Sequence, residues 1–309
     1  MPKTEYSQTT TADETLAGHR LDGQTIIVTG ANTGIGKETA RALAAVGAHV
    51  VLAARDLNKA QVAAQAIAEQ HPSASLDLLE LDLNDLQQVR SAAQQFANKY
   101  SRLNALINNA GIMATPFGTT AQGYEQQFGV CHLGHFQFTL ALLPQLQAAG
   151  QARVVNLSSA AHKFSDVLFN DIHFKHREYN KWQAYGQAKS ANALFSLELD
   201  KRYAKQGIRA FSVHPGAIYE SELGRHIAPE DVAVIKEQTE GMFVKTVGQG
   251  AATSCWAVVE SSLENHGGVY LEDCSVATPG VEGTTGYAPW ITDQASAERL
   301  WEASEQMIA

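Results

Sequence analysis

Short apolar segments with the length of β-strands alternate with helical segments along almost the whole chain. The apolar segments cover residues 25–29, 48–54, 76–81, 105–108, 153–157, 208–213 and 268–271. Strands that alternate with helices pair in parallel through right-handed crossovers. These segments are apolar on both faces, which is typical of strands covered by helices on both sides of a sheet. The pattern predicts one α/β domain with a doubly wound parallel sheet of about seven strands.

The chain shows no linker and no internal repeat, so we expect a single domain over residues 21–309. Residues 1–20 are polar and rich in threonine, which predicts a flexible tail without a signal peptide. Residues 160–181 and 217–247 are less regular, and each follows a predicted strand. Because open α/β sheets bind ligands beyond the carboxyl ends of their strands, we expect these segments to form the walls of a substrate pocket. The second segment is expected to act as a helical lid.

Composition excludes several classes of function. The net charge is −9 and basic residues form no cluster, which argues against nucleic acid as a partner. The 11 histidines are scattered without the spacing of metal ligands, so no metal site is predicted. No apolar run reaches the ~20 residues of a membrane-spanning helix, and no anchor is expected. Cys131, Cys255 and Cys274 are an odd number of distant cysteines, which fits reduced thiols in a cytoplasmic protein.

A glycine-rich turn joins the first predicted strand to the first predicted helix. Residues 29–36 read Thr-Gly-Ala-Asn-Thr-Gly-Ile-Gly. Gly30, Gly34 and Gly36 permit a tight turn and a close approach of the backbone to a diphosphate. The N-terminus of the following helix favours negative charge. The turn therefore predicts a nucleotide-binding site.

The end of the second predicted strand bears on which dinucleotide binds. A carboxylate at this tip would accept a hydrogen bond from the ribose 2′-hydroxyl of NAD. Ala54 occupies the tip and Arg55 follows it, so a guanidinium can pair with the 2′-phosphate of NADP. Asp56 offers the alternative, because its carboxylate can take the acidic role while Arg55 remains a solvated loop residue. We favour NADP over NAD as the cofactor.

Tyr185 and Lys189 lie four residues apart in a segment predicted to be helical, so their side chains share one face. A free tyrosine has a pKa of about 10 and is a poor acid or base near neutral pH. A neighbouring cation stabilises the phenolate and lowers that pKa. A tyrosine tuned in this way can give a proton to a carbonyl oxygen or take one from an alcohol.

These features resemble the short-chain dehydrogenase/reductase family over about residues 22–275. The matching motifs also include Leu81-Asp82-Leu83, Asn108-Asn109-Ala110-Gly111, Asn156-Leu157-Ser158-Ser159 and His214-Pro215-Gly216. The resemblance implies a Rossmann-type fold and a hydride transfer between a nicotinamide and an alcohol or carbonyl carbon. It implies three catalytic residues: Ser159 binds the substrate oxygen, Tyr185 is the acid or base, and Lys189 holds the nicotinamide ribose. The cofactor-binding residues that it implies are Gly30, Asn32, Thr33, Gly34, Ile35, Gly36, Arg55, Asp82, Leu83, Asn109, Ala110, Gly111, Tyr185, Lys189, Pro215, Gly216 and Ile218.

Residues 34–40, 132–136 and 212–216 are similar to the retinol dehydrogenase-like branch of that family, which also contains protochlorophyllide reductases. The 26 residues from Ser159 to Tyr185 are a long step that is similar to the same branch. Because this branch contains enzymes with different substrates, the resemblance implies the type of reaction but not the identity of the substrate. It is compatible with a homo-oligomer, and a monomer remains an alternative.

One residue departs from the pattern of the branch. Members usually carry asparagine immediately before the sequence His-Leu-Gly-His, where it helps to hold a water that links the lysine to solvent. Cys131 stands at this position, and a thiol is a weak donor and acceptor. This leaves an active enzyme with a rerouted proton path, a slow enzyme, or a nucleotide-binding protein that has lost turnover. His132 and His135 are expected to pack or form hydrogen bonds within the helix rather than to act in catalysis.

The leading hypothesis is an NADP-dependent oxidoreductase that interconverts an alcohol and a carbonyl on a small, moderately apolar molecule. The alternative is a nucleotide-binding regulatory or scaffold protein. Five aromatic residues lie in or beside the 160–181 segment, and we expect most of them to pack and one or two to contact the substrate. They are Phe164, Phe169, Phe174, Tyr179 and Trp182.

Overall fold

A computed structural model of the protein describes residues 6–220, 222–229, 231–232, 243–280, 283 and 285–309. Eight strands of the described residues form one sheet in the order β3-β2-β1-β4-β5-β6-β7-β8. The strands from β1 to β7 pair in parallel. Their bounds are β1 Thr25–Thr29, β2 His49–Ala54, β3 Ser75–Glu80, β4 Ala105–Asn108, β5 Ala152–Leu157, β6 Ile208–His214, β7 Tyr270–Glu272 and β8 Ser275–Val276.

The eighth strand is the one difference from the predicted sheet of about seven. β8 has two exposed residues and pairs antiparallel with β7. Asp273 and Cys274 connect the two strands with φ angles of 48° and 55°, which is the geometry of a type I′ hairpin turn. The sequence lacks the Asn-Gly or Asp-Gly pair that signals such a turn, and the strand is too short to show a pattern.

Helices cover both faces of the sheet, as the predicted doubly wound fold requires. The α-helices of the described residues are α1 Ala12–Leu16, α2 Gly34–Ala45, α3 Leu57–Gln70, α4 Leu86–Lys99, α5 Gln126–Phe128, α6 Gly134–Ala141, α7 Leu143–Ala149, α8 Lys181–Tyr203, α9 Val247–Val259 and α10 Gln294–Ile308. Neighbouring residues of β1 contribute to opposite cores: Ile26 packs on the side of α1, α2 and α9, and Ile27 on the side of α4, α6, α8 and α10.

The structure differs from the expectation of a flexible tail over residues 1–20. Helix α1 packs against α9, and Ala12 and Leu16 are buried. Thr11 and Glu14 form a reciprocal capping box at the start of this helix. Residues 12–16 are therefore part of the domain, whereas residues 1–5 lie outside the described part of the chain.

The long helix expected around residues 125–146 is interrupted. A π-helical turn, Gly129–Leu133, separates α5 from α6, and α7 begins after a further break. Cys131 lies in this turn. Such π-helical insertions are frequent at functional sites, because the wider turn redirects one side chain.

The segment predicted as a lid, residues 217–247, is described in part. Residues 221, 230 and 233–242 lie outside the described residues. The described remainder includes a 3₁₀ turn, Glu222–His226, and a bridge between Ala217 and Val244. Among the helices that the structure describes, none is long and apolar enough to cross a membrane.

Candidate active site

A cavity of 1630 Å³ opens at the carboxyl ends of β1, β2, β4, β5 and β6, on both sides of the switch point between β1 and β4. All residues predicted for cofactor binding and catalysis line this single space, although they come from distant parts of the chain. They are Gly30, Asn32, Thr33, Gly34, Ile35, Gly36, Arg55, Asp82, Leu83, Asn109, Ala110, Gly111, Ser159, Tyr185, Lys189, Pro215, Gly216 and Ile218.

The glycine loop is packed so closely that side chains are excluded. Gly30 has a φ of +66°, and a Cβ on it would lie 2.9 Å from the Cα of Ala110. A Cβ on Gly36 would lie 2.4 Å from both the Gly30 carbonyl oxygen and the Asn109 Nδ2. Thr33 precedes α2 and makes no side-chain capping bond within the described structure. The first N–H groups of α2 thus face the cavity, as an anion site at a helix N-terminus requires.

The motif that follows β4 is tied to β1. Asn109 Nδ2 donates to the Thr29 carbonyl oxygen at 2.7 Å, and the Ala110 N–H donates to the Thr29 hydroxyl at 2.9 Å. Below the cavity, Asn108 Nδ2 donates to Asn156 Oδ1 at 2.7 Å, which links β4 to β5. These bonds fix the loop that carries Gly111. These hydrogen bonds and the close packing of the glycines form a preorganised surface that fits a dinucleotide.

Arg55 and Asp56 have different environments at the end of β2. Arg55 is exposed at the cavity, and none of the described residues forms an ion pair with it. The Asp56 carboxylate accepts from the backbone N–H groups of Asn58 at 3.0 Å and Lys59 at 3.1 Å, which caps α3. The carboxylate of Asp56 is therefore occupied by the backbone N–H groups of α3, whereas the guanidinium of Arg55 can bind an anion in the cavity.

Ser159, Tyr185 and Lys189 converge at the inner end of the cavity. The side chain of Tyr185 lies near that of Ser159, close enough for Ser159 to act on the pKa of the phenol. Lys189 Nζ lies 5.5 Å from the centre of the Tyr185 ring and donates to the Leu157 carbonyl oxygen at 2.9 Å. Tyr185 and Lys189 are each 3% exposed, so this group of side chains is almost closed to water.

Burial controls the ionisation of these groups. It raises the pKa of Tyr185, and the Ser159 side chain acts in the opposite direction. Burial also lowers the pKa of Lys189. Tyr185 is therefore a protonated phenol at neutral pH, and the expectation that Lys189 lowers its pKa is wrong, because burial of the phenol dominates.

The two adjacent serines have different surroundings. Ser158 Oγ donates to the Lys189 carbonyl oxygen at 2.8 Å, which is the backbone-bonded role expected for a hydroxyl at a strand end. Ser159 Oγ accepts a hydrogen bond from the Ala161 N–H at 3.2 Å. Of the two serines, Ser159 is the one whose side chain acts on Tyr185. The geometry agrees with the choice of Ser159 as the residue that faces a substrate oxygen.

Cys131 is buried beside Lys189. Its thiol contacts the Ile112 carbonyl oxygen at 3.5 Å. A Cβ on Gly111 would lie 3.6 Å from Cys131 Sγ and 3.8 Å from Lys189 Nζ, so all three groups border one small space. Burial raises the pKa of the Cys131 thiol, which leaves it protonated and unsuited to nucleophilic chemistry.

His132 and His135 have the packing roles expected for them. His135 joins the Thr29 hydroxyl at 2.9 Å to the Cys131 carbonyl oxygen at 3.0 Å. His132 bonds to Ser304 at 2.8 Å, among aromatic rings. Neither histidine lines the cavity.

The aromatic residues of the insert divide as expected between packing and the cavity. Phe164 and Trp182 line the cavity. Phe169 packs in a core cluster, Phe174 is buried, and the Tyr179 hydroxyl donates to the Thr115 carbonyl oxygen at 3.1 Å. Further lining residues that no sequence motif marked are Met113, Lys163, Tyr219, Leu223, Arg225 and Ile227.

A family model for short chain dehydrogenases matches residues 24–231. The chain is 41% identical over 299 residues to the short-chain dehydrogenase/reductase prx1 of Penicillium roqueforti, covering 93% of this chain and 86% of that protein. It is 39% identical over 289 residues to retinol dehydrogenase 12 of Homo sapiens, covering 94% and 87% of the two chains.

Solved structures show the same architecture. An uncharacterised protein from Mycobacterium paratuberculosis superposes with a TM-score of 0.75 at 34% identity, covering 97% of both chains. RhlG of Pseudomonas aeruginosa has a TM-score of 0.66 at 23% identity over 82% of this chain and 95% of its own, a likeness of fold. With this fold, this cavity and these relatives, the chain belongs to the short-chain dehydrogenase/reductase family of NAD(P)-dependent oxidoreductases, in its retinol dehydrogenase-like branch.

Proposed function

We propose that the protein is an NADP-dependent oxidoreductase that interconverts an alcohol and a carbonyl on a small, moderately apolar molecule. The observation that carries this proposal is the convergence of Ser159, Tyr185 and Lys189 at the inner end of the cavity that begins at the glycine loop. The protonated phenol of Tyr185 would donate a proton to a carbonyl oxygen, and the same residue would accept a proton in the reverse reaction.

The chain's residues divide the binding of the cofactor among them. The glycine loop and the N-terminus of α2 would hold the diphosphate, Arg55 the 2′-phosphate, and Asp82 the adenine. Lys189 has one donor on the Leu157 carbonyl, which leaves two donors for the ribose hydroxyls. A bound NADPH would supply the hydride that reaches the carbonyl carbon.

Proton transfer is assigned to the chain itself. Ser159 would hold the carbonyl oxygen by a hydrogen bond, which stabilises the negative charge that develops there. Tyr185 would donate its phenolic proton to the same oxygen and later regain a proton from water. Lys189 would stabilise the phenolate left on Tyr185, since a nearby cation favours the charged form of the phenol.

The outer part of the cavity favours an apolar substrate. Phe164, Trp182, Leu223 and Ile227 present apolar surface there. Tyr219 is 55% exposed and Phe164 is 53% exposed at this cavity, so both can bury further surface when a substrate binds. Asn180, Gln183 and Arg225 also line the cavity, so its wall is mixed, which supports a moderately apolar substrate.

The proposal is tested with wild-type protein, NADPH and a panel of nonanal, acetophenone and menadione. Oxidation of NADPH that depends on one of these carbonyls is expected, together with formation of the corresponding reduced product. Tight binding of NADPH without turnover of an extended aldehyde, ketone and quinone panel would favour the alternative, a nucleotide-binding regulatory or scaffold protein.

Arg55→Asp is expected to weaken NADPH binding by about 10–100-fold and to change NADH binding by less than about threefold, since a charged hydrogen bond contributes about 1.5–3 kcal/mol. Fluorescence titration of each cofactor measures both affinities. Arg102→Asp is the matched control, because Arg102 is exposed and does not line the cavity. Equal losses for NADPH and NADH would show that Arg55 does not recognise the 2′-phosphate.

Cys131→Asn is expected to raise kcat by about two- to tenfold, a small part of the roughly 10²–10⁴-fold that a positioned proton-transfer group contributes. An amide offers two donors and one acceptor in the space shared with Lys189 and Gly111, where the thiol offers little. Steady-state kinetics of NADPH oxidation measure the change. Cys131→Ser serves as the control, because a hydroxyl keeps a donor toward the Ile112 carbonyl without adding a second one. A folded Asn variant with a kcat at or below that of wild type would show that Cys131 does not limit the proton path.

A further inference from the structure

His162 lies in the 3₁₀ turn that directly follows Ser159, and it is 0% exposed. One ring nitrogen, Nδ1, is 2.7 Å from the Ser159 carbonyl oxygen. The other, Nε2, receives the backbone N–H of Ala288 at 3.0 Å. A single imidazole thus joins the backbone of Ser159 to the segment that precedes α10.

The hydrogen-bond partners fix the tautomer of this ring. A backbone N–H can only donate, so Nε2 of His162 must be the unprotonated acceptor toward Ala288. Nδ1 therefore carries the proton and donates it to the Ser159 carbonyl oxygen. Burial lowers the pKa of His162 to about 4, in agreement with a neutral ring.

A second histidine holds the other side of the same peptide group. The Ala160 N–H, which shares a peptide plane with the Ser159 carbonyl, donates to His214 Nδ1 at 3.3 Å. The plane between Ser159 and Ala160 is therefore held by His162 at its oxygen and by His214 at its nitrogen. The orientation of this plane sets the ψ angle of Ser159, and with it the direction of the Ser159 side chain relative to the plane.

The turn has further attachments to the C-terminal part of the chain. Lys163 Nζ donates to the Thr285 carbonyl oxygen at 2.6 Å. The Tyr270 hydroxyl on β7 lies 3.3 Å from His162 Nδ1. Ala288 and Thr285 are far from the catalytic residues in sequence. The hydrogen bonds of His162 connect this segment to the backbone of Ser159.

We propose that His162 is a positioning residue that fixes the backbone of Ser159, so that the Ser159 hydroxyl is aligned with Tyr185 and the substrate oxygen. The inference rests on the proposed function, because it presumes that Ser159 binds the reacting oxygen. The bond from Nδ1 to the Ser159 carbonyl oxygen aligns Ser159, so its loss lowers kcat. The bond from the Ala288 N–H to Nε2 fixes the tautomer and holds the ring in place.

Two substitutions separate the two bonds. His162→Asn places an amide nitrogen near the Nδ1 position and keeps the donor to the Ser159 carbonyl. His162→Gln places its amide near the Nε2 position, where it keeps an acceptor for Ala288 and loses the bond to Ser159. We expect kcat to fall by about tenfold or more in the Gln variant and to stay within about threefold of wild type in the Asn variant, since small misplacements of reacting groups are costly.

The kinetics are measured with NADPH and the panel carbonyl that the wild type reduces fastest, and KM and NADPH affinity are expected to change little. Equal losses of kcat in both variants, or no loss in the Gln variant, would overturn the role of His162. Ser159→Ala is the reference: a kcat that it leaves at the wild-type level would instead overturn the proposed function. Nitrogen NMR of histidine-labelled protein gives a readout without turnover, and a proton on Nε2 of His162 would contradict the assigned geometry.

Discussion

Replacing Tyr185 with phenylalanine is expected to lower kcat by about 10²–10⁴-fold, the range that a positioned general acid contributes. The change removes one hydroxyl, which lies near Ser159 and is the proposed proton donor, and keeps a ring of the same shape. NADPH affinity is expected to stay close to that of wild type, because the ring and Lys189 remain. Steady-state kinetics and cofactor titration on the same preparation measure both quantities.

Tyr179→Phe is the matched control for this experiment. Tyr179 also has a partly buried hydroxyl with hydrogen bonds, to Thr115 and Glu125, but it does not line the cavity. Its loss is expected to lower stability modestly while kcat remains within a few-fold of wild type. Turnover by Tyr185→Phe at the wild-type rate would rule out the proposed proton donor.

Acidification from pH 6.5 to pH 4 is expected to destabilise the fold strongly through buried neutral histidines. Burial lowers the pKa of His132 to about 3 and the pKa values of His135 and His162 to about 4. All three are at most 1% exposed. The unfolded chain binds a proton at each position near the ordinary pKa of about 6.5, while the folded state does not until near pH 4. Stability is therefore fully present above pH 6.5 and is lost as the pH falls through this window, by at most about 1.4 kcal/mol per pH unit for each histidine.

Several buried carboxyl groups, Glu272 among them, act in the opposite direction. Burial raises the pKa values of Glu125 and Asp200, so the folded state binds their protons more readily than the unfolded chain. Their contribution to stability grows as the pH falls through the raised values. The net slope alone thus does not isolate the histidines, and a variant is needed to do so.

His132→Gln removes one proton-binding site and keeps a group that can bond to Ser304. It is expected to reduce the slope of unfolding free energy against pH by up to about 1.4 kcal/mol per pH unit between pH 6.5 and 4. Urea titrations across this range measure the slope. Phe136→Leu loses packing beside the same ring but keeps all histidines, so its slope is expected to match wild type. An unchanged slope in His132→Gln would contradict a neutral His132 in the fold.

Much of the fold was predictable because its signals are local. The central parallel strands, such as β1 and β4, are apolar runs of a length that a covered sheet requires, and the glycine loop marks where β1 meets α2. The convergence of Ser159, Tyr185 and Lys189 was predictable because the motif spacing resembles that of a known family. The position of Arg55 directly after β2 was also predictable, since it follows from the pattern of apolar residues in that strand.

Other features depend on contacts that no local pattern reveals. Helix α1 has five residues and is stabilised by packing against α9 rather than by its own length. The π-helical turn at Cys131 has no sequence signature. The bond between His162 and Ala288 joins residues 126 positions apart, so it is a property of the folded chain.

The most direct test of hydride transfer to a carbonyl uses NADPH labelled with deuterium at the transferable C4 position of its nicotinamide. Wild-type protein is incubated with this cofactor and an aldehyde or ketone that it reduces, and the product is examined by mass spectrometry and NMR. We expect one deuterium at the carbinol carbon of the alcohol and a proton from water on its oxygen. An alcohol without deuterium at that carbon would contradict the account.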